Sequence, residues 1–267
     1  VTGRRAVVLG GLAAALAAGC RAAGPGLVSP GSPFIATPEA IGTEMLRLAA
    51  TTSADVVYDL GSGDGRVVIG AARDFGTRGV GVELDPALVQ ASREAALRAG
   101  VADRVRFLWA DIFATDVSEA TVVTLYLGAD LNRRLRPKLL GELRPGARVV
   151  SHDFDMGDWA PDRSIQVRSP ARPHALHLWV IPADAGGPWR SQAGPSLDLV
   201  QRYQEVSGHL RTPGGPVEVR GRLAGDQVTL EGSGWRLQAR IAGAEAAGRL
   251  TAPDGTAADW RARRGGP

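Results

Sequence analysis

Hydrophobic positions along the first two thirds of the chain switch repeatedly between two periods. Short β-branched runs predict strands at Val56–Leu60, Gly79–Glu83, Val105–Trp109, Val122–Leu127 and Arg148–His152. Between them, apolar residues at helical spacing predict helices over Arg66–Phe75, Pro86–Gly100 and Asp130–Leu143. An earlier segment, "TPEAIGTEMLRLAA", places Ile41, Met45, Leu46 and Leu48 on one helical face, with Thr37 as N-cap and Pro38 at the first helical position. Strand alternating with helix predicts an α/β fold, a parallel sheet covered on both faces. Two further strand-like runs, Ile165–Val167 and Ala175–Ile181, have only a loop between them and are expected to pair antiparallel at the sheet edge.

The pattern changes at "PADAGGP", Pro182–Pro188. Short alternating stretches separated by glycine turns follow, as in "VEVRGRLAGDQVTL" and "LQARIAGAEAAGRL". This predicts a small antiparallel β meander of hairpins. An Arg-aliphatic-Ala-Gly unit recurs within it, at Arg222–Gly225 and again at Arg240–Gly243. The N-terminus differs again: "VTGRRAVVLGGLAAALAAGC" is a short basic region, a small apolar stretch and then Cys20. That layout is too short for a membrane span and fits an export signal. The arginine pair resembles a twin-arginine signal and "LAAGC" a bacterial lipobox, which would make Cys20 a lipid-attachment site. The expected organisation is a signal at 1–20, a Gly/Pro/Ser-rich tether at 21–33, an α/β domain at 34–182 and a β-rich domain at 183–267. The cell envelope is the expected location, or the cytoplasm if the N-terminal segment is not a signal.

Composition narrows the function. The formal charge is +3 and Lys138 is the only lysine, so the basic residues are almost all arginine. The one basic cluster, Arg133–Lys138, falls on a helix and reads as a solvated face, so no nucleic-acid partner is expected. A single cysteine excludes an intrachain disulfide.

The candidate chemistry sits where strands end. "DLGSGDGR" closes the first strand on Asp59 and runs through Gly61 and Gly63 into a helix, whose free N–H groups favour negative charge. A glycine loop there lets a ligand approach the backbone. Arg66 stands where a dinucleotide fingerprint has its third small residue. Asp59 would repel a pyrophosphate but suits a ligand carrying ammonium and sulfonium charge, such as S-adenosylmethionine. Glu83 ends the second strand, where a carboxylate can accept ribose hydroxyls. Asp111 lies just past the third, where one can accept an adenine amino group. Ligands in open α/β sheets bind outside such carboxyl edges.

These stretches, with "GVGVELDP", "WADIF" and "LRPGARVVSHDFDMGDW", resemble class I S-adenosylmethionine-dependent methyltransferases. Within that class they look most like mitochondrial-type protein-lysine methyltransferases and their bacterial relatives. The resemblance covers about Phe34 to Pro182. It implies a Rossmann-like seven-strand sheet, and a cofactor contacted by Asp59, Gly61 and Gly63 at the methionine moiety, Glu83 at the ribose and Asp111 at the adenine. It also implies a pre-helix segment folded over the cofactor, here "PFIATP", with Phe34 where tyrosine is usual and Ala36 where proline is usual.

Acceptor-side candidates lie at the ends of the fourth and fifth strands: Tyr126 and Asp130, then Ser151, His152, Asp153, Asp155 and Trp159. Strand alternation would put Ser151, Asp153 and Asp155 on one side. Asp153 or Asp155 is the expected orienter of an acceptor amine, with Tyr126 beside it. No metal is expected, although His152 with Asp153 and Asp155 is the one grouping with ligand chemistry. His174, His177 and His209 read as structural. "TLYLGAD" lacks the prolines that nucleic-acid amino-methyltransferases carry after strand four. The expected function is methylation of a protein amine such as a lysine side chain. A small-molecule methyltransferase and a non-catalytic cofactor-binding module are the alternatives.

Overall fold

The computed structural model describes residues 35–192 and 194–265. The expected signal, the tether, Cys20 and Phe34 lie outside the described residues. The first helix, α1 (Glu39–Leu48), is followed by β1 (Val56–Leu60), α2 (Arg66–Phe75), β2 (Arg78–Glu83), α3 (Pro86–Arg98) and β3 (Val105–Trp109). Then come β4 (Val122–Leu125), α4 (Ala129–Glu142), β5 (Arg148–His152), β6 (Arg163–Arg168) and β7 (Pro173–Val180). They form one seven-stranded sheet in the order β3-β2-β1-β4-β5-β7-β6. The strands from β3 to β5 run parallel. β7 enters antiparallel beside β5 and carries β6 on its outer edge, as the loop-only connection requires.

The central strands are buried along their whole length, because helices cover both faces. One core, built on Tyr58, Leu60, Val123, Leu125 and Val149, lies under α4. The opposite face packs Val57, Val122 and Val150 against Ile41, Met45 and Leu46 of α1.

Three local expectations give way. Thr37 does not cap α1: Pro38 holds the N-cap position, and the buried Thr37 hydroxyl lies 3.3 Å from His152 Nδ1. β4 stops at Leu125, two residues early, because the chain turns through Gly128 at φ +93° to start α4. β5 ends at His152 as expected, but Asp153 just beyond it adopts φ +63°. Alternation therefore ends there, and Ser151, Asp153 and Asp155 do not share a face.

The tail is a meander that closes on itself. It comprises β8 (Gly187–Ser191), β9 (Ser196–Arg202), β10 (Glu205–Thr212), β11 (Gly215–Ala224), β12 (Gln227–Gly232), β13 (Trp235–Ala242), β14 (Glu245–Thr251) and β15 (Ala257–Arg264). β15 pairs with β8, and β8 with β9, completing a barrel without edges. Alternate residues point inward and fill it, among them Trp189, Leu210, Leu223, Leu230 and Trp260, so the interior is packed core. Gly221 is required where β11 pairs with β12, since a methyl there would collide with the Thr229 carbonyl. The recurring Arg-aliphatic-Ala-Gly unit marks two equivalent hairpin turns, at Gly225 (φ +63°) and Gly243 (φ +62°).

Barrel and sheet are joined by buried polar bonds. Trp159 Nε1 donates to Gln204 Oε1 at 2.7 Å, and Gln204 Nε2 returns a bond to the Ala160 carbonyl at 2.7 Å. Trp159 also stacks on Tyr203 and accepts at its carbonyl from Trp179 Nε1. Trp159, an acceptor-side candidate in the sequence, is thus a fully buried part of this junction.

Candidate functional site

The glycine loop between β1 and α2 is shaped by backbone that only glycine adopts freely: Gly61, Gly63 and Gly65 have φ of +80°, +54° and +78°. Gly61 and Ser62 N–H both donate to the Val82 carbonyl, which folds the loop back over β2. A side chain at Gly81 would strike Ser62 Oγ and the Phe107 ring, so β2 leaves room for the loop to settle.

Asp59 is buried at the tip of β1, and its Oδ1 accepts from Thr124 Oγ1 at 2.7 Å. Burial pushes its carboxyl up to about 7; the Thr124 bond opposes this, while the negative charges of Glu83 and Asp64 add to it. No cation partners it among the described residues. A buried carboxyl is costly to ionise without such a partner, and a ligand ammonium is the group that would supply it.

Glu83 ties β2 to the loop. Its Oε2 accepts from Gly63 N–H at 2.9 Å, and its Oε1 from Leu84 and Asp85 N–H at 2.8 and 3.0 Å. A carboxylate offers about four acceptor positions, so capacity remains for a hydroxyl. Asp111 caps the turn after β3, its Oδ1 accepting from Phe113 N–H at 2.8 Å. The three acids thus end neighbouring strands on one edge of the sheet, beside Gly61 and Gly63. Buried Ser62 Oγ lacks a hydrogen-bond partner among the described residues and belongs to the same loop. This donor set suits the ammonium, ribose and adenine of S-adenosylmethionine.

On the acceptor side, Tyr126 and Asp153 come together, and Asp155 does not join them. Asp155 is exposed and accepts from Gly157 N–H at 3.0 Å, which makes it a loop cap. Asp130 is exposed and paired with Arg133. Ser151 is buried and receives a bond from Asn132 Nδ2 at 2.9 Å. Asp153 is fixed on β7: its N–H donates to the Ala175 carbonyl at 2.7 Å and its Oδ1 accepts from Ala175 N–H at 2.9 Å. Its Oδ2 receives Arg172 at 2.5 Å, and this guanidinium helps hold the carboxyl below the ordinary value, against the opposing effect of burial. Tyr126 stacks on His152 with centroids 3.9 Å apart and more loosely on Phe154 at 5.9 Å.

His174 is not a bystander. Its Nδ1 lies 2.8 Å from His152 Nε2, and its Nε2 lies 3.0 Å from Ser169 Oγ. Since Ser169 Oγ donates to the Arg172 carbonyl at 3.0 Å, it accepts from His174 Nε2–H, and His174 Nδ1 accepts from His152 Nε2–H. Both rings are buried, and burial lowers His152 to about 4, so it is neutral at pH 7. His152, Asp153 and His174 lie within 4.8 Å of one another; the ligand-like grouping foreseen with Asp155 takes His174 in its place. Sequence spacing gives no sign of His174 or Arg172, because the β5–β7 register brings them in.

Comparison with known proteins agrees with this geometry. A family model described as the ANTKMT methyltransferase domain matches residues 59–163 and stops before the barrel. The chain is 41% identical over 153 residues to a protein-lysine N-methyltransferase of Saccharolobus islandicus (strain REY15A), covering 57% of this chain and 95% of that protein. It is 34% identical over 145 residues to the adenine nucleotide translocase lysine N-methyltransferase of Mus musculus, covering 54% of this chain and 60% of that relative. Among solved structures, an RNA methyltransferase from Salinibacter ruber in complex with S-adenosyl-L-homocysteine is 53% identical, with a TM-score of 0.54, covering 56% of this chain and 95% of that one.

Proposed function

The chain belongs to the class I S-adenosylmethionine-dependent methyltransferases, with the ANTKMT-type domain, and we propose that its acceptor is the side-chain amine of a protein lysine. S-Adenosylmethionine is the cofactor, and when bound it supplies a methyl group already activated on a sulfonium. The chain's own residues then bind and orient. Asp59 meets the ammonium, the Gly61–Gly63 backbone admits the methionine moiety, Glu83 takes ribose hydroxyls and Asp111 the adenine. On the other side, Asp153 and Tyr126 orient the acceptor.

The lysine ammonium first gives up one proton to solvent. The cofactor held at the glycine loop would supply the methyl carbon and keep the departing electron pair on its sulfur, while Asp153 and Tyr126 would hold the neutral amine nitrogen toward that carbon. Much of the rate comes from holding the nitrogen in line with the methyl carbon.

The observation that carries the reading is the anchored Asp153 carboxylate, whose Oδ2 holds a cation, here the guanidinium of Arg172. The lysine specificity named for the Saccharolobus islandicus relative supports it. The name of the Salinibacter ruber protein favours a second acceptor class, RNA. An RNA acceptor needs cations for its phosphates. Within the basic cluster, Arg133, Arg136 and Lys138 are engaged by Asp130, Asp158 and Glu142, and Arg134 lies over the Phe113 ring at 4.6 Å. That favours the protein acceptor.

We place the protein in the cell envelope on its N-terminal sequence, anchored through Cys20, and mass spectrometry of the mature N-terminus tests this. Turnover there requires the cofactor to be supplied from the cytoplasm. The functional test is transfer of labelled methyl to cell extract, with protease and ribonuclease digestion of the products. Label that survives ribonuclease, is lost to protease and appears as methyl-lysine after hydrolysis is expected. Label lost to ribonuclease would establish the RNA reading instead.

A further inference from the structure

Asp153 is aimed by a backbone bend that non-glycine residues seldom adopt, at φ +63°. The bend locks Oδ1 onto β7 and leaves Oδ2 facing a cation. In this structure the cation is Arg172, from the turn between β6 and β7. Its Nη2 lies 2.5 Å from Asp153 Oδ2 and 3.2 Å from the Tyr126 hydroxyl, and its Nη1 donates to the Pro173 carbonyl at 3.0 Å. The two partners differ in anchorage: the Asp153 side chain is 17% exposed and that of Arg172 is 46% exposed. A fixed anion is therefore covered by a cation on a surface turn. Other groups also face this point: His152 Nε2 lies 3.4 Å from Oδ2, His174 lies behind it, and Tyr126 and Phe154 stand alongside.

We propose that Arg172 is a place-holder for the acceptor, its guanidinium filling the position against Asp153 Oδ2 and the Tyr126 hydroxyl that the lysine ammonium takes. The proposal rests on the lysine reading above. Arg172 Nη2 occupies the space between Asp153 Oδ2 and the Tyr126 hydroxyl, so Arg172 swings out as the acceptor ammonium enters that same position. The resting site is thereby closed to weakly bound cations. An acceptor must bring enough contact elsewhere to displace the arginine, which favours a lysine held in a protein over a free amine. Arg172 is in this sense a specificity-determining residue that acts through Asp153.

The test uses the full chain loaded with S-adenosylhomocysteine and n-butylammonium as the probe for a lysine side chain. Binding is followed by NMR, including the arginine Nε–H signals. If the ion pair closes the site about four fifths of the time, Arg172→Gln binds the probe about fivefold more tightly than wild type. Arg172→Lys, which keeps a cation there, stays near wild type, and Asp153→Asn binds at least fivefold more weakly. In wild type, the Arg172 Nε–H signal shifts as the probe enters. Cofactor affinity and melting temperature, unchanged in Arg172→Gln, establish that the variant is folded.

Arg172→Gln binding no more tightly than wild type, or Asp153→Asn binding equally well, overturns the place-holder. Labelled transfer to protein separates the two failures. A wild-type enzyme that labels lysine while Arg172→Gln gains nothing refutes the place-holder alone. An enzyme that labels no protein refutes both.

Discussion

Asp59 should make cofactor binding depend on pH in a direction set by its burial. Its carboxyl moves from 3.8 in the unfolded chain to about 7 in the folded, cofactor-free protein. A shift of roughly three units corresponds to about 4 kcal/mol at most. The sign follows from proton binding: the folded state holds this proton more tightly. The stability Asp59 contributes is full below pH 3.8 and is lost as pH rises to about 7. At pH 8 the ionised, unpartnered carboxylate is therefore a burden, which a cofactor ammonium relieves.

If only the ionised form binds, affinity is scaled by its fraction. It should be about tenfold weaker at pH 6 than at pH 8, with about half a proton released per cofactor bound at pH 7. At still higher pH, once the ligand's own α-amine loses its charge, affinity should fall again. Calorimetry with S-adenosylhomocysteine, in two buffers of different ionisation enthalpy, reads both quantities. Asp59→Asn should remove the rising limb and bind poorly. In the absence of cofactor it should be more stable than wild type at pH 8, by about 1–4 kcal/mol, and no more stable at pH 4. Affinity flat between pH 6 and 8 with no proton released, or an Asp59→Asn protein that binds normally, would refute the reasoning.

Other outcomes follow from the same structure. Glu83→Gln exchanges a carboxylate that accepts three backbone N–H bonds for a neutral amide, so cofactor affinity should fall about 10- to 100-fold by calorimetry. His152 is buried and lowered from 6.5 to about 4, so the stability gained from keeping it neutral should be present above pH 6.5 and lost as pH falls through 4. Urea melts should show a loss on the order of 2–3 kcal/mol across that range, absent in His152→Gln. Trp159→Ala, at the junction with the barrel, should cost about 3–5 kcal/mol in the same melts. Gly61→Ala forces a side chain into the left-handed region and against Leu127, and should weaken cofactor binding more than it lowers the melting temperature.

Much of the sheet was legible because each strand carries its own signal. β-branched runs mark β1 to β5, glycine marks the loop after β1, and acids stand at the tips of β1 and β2 and just beyond β3. Those cofactor-side residues come from consecutive β-α units, so chain order alone brings them to one edge. The acceptor side was less legible. Asp153 and Asp155 look equivalent in "SHDFDMGDW", yet the left-handed turn at Asp153 fastens one to β7 and sends the other to cap a loop. Arg172 and His174 reach the site from a hairpin that runs antiparallel to β5, and only that register places them beside Tyr126 and His152.

By itself, then, the sequence determined the order and kind of the elements and which ends of the strands carry negative charge, since these depend on local pattern. Tertiary structure decided which carboxylate meets a cation, which histidine lies against which, and that the C-terminal hairpins close into a barrel. Those outcomes depend on strand register and burial, and neither is set by neighbours along the chain.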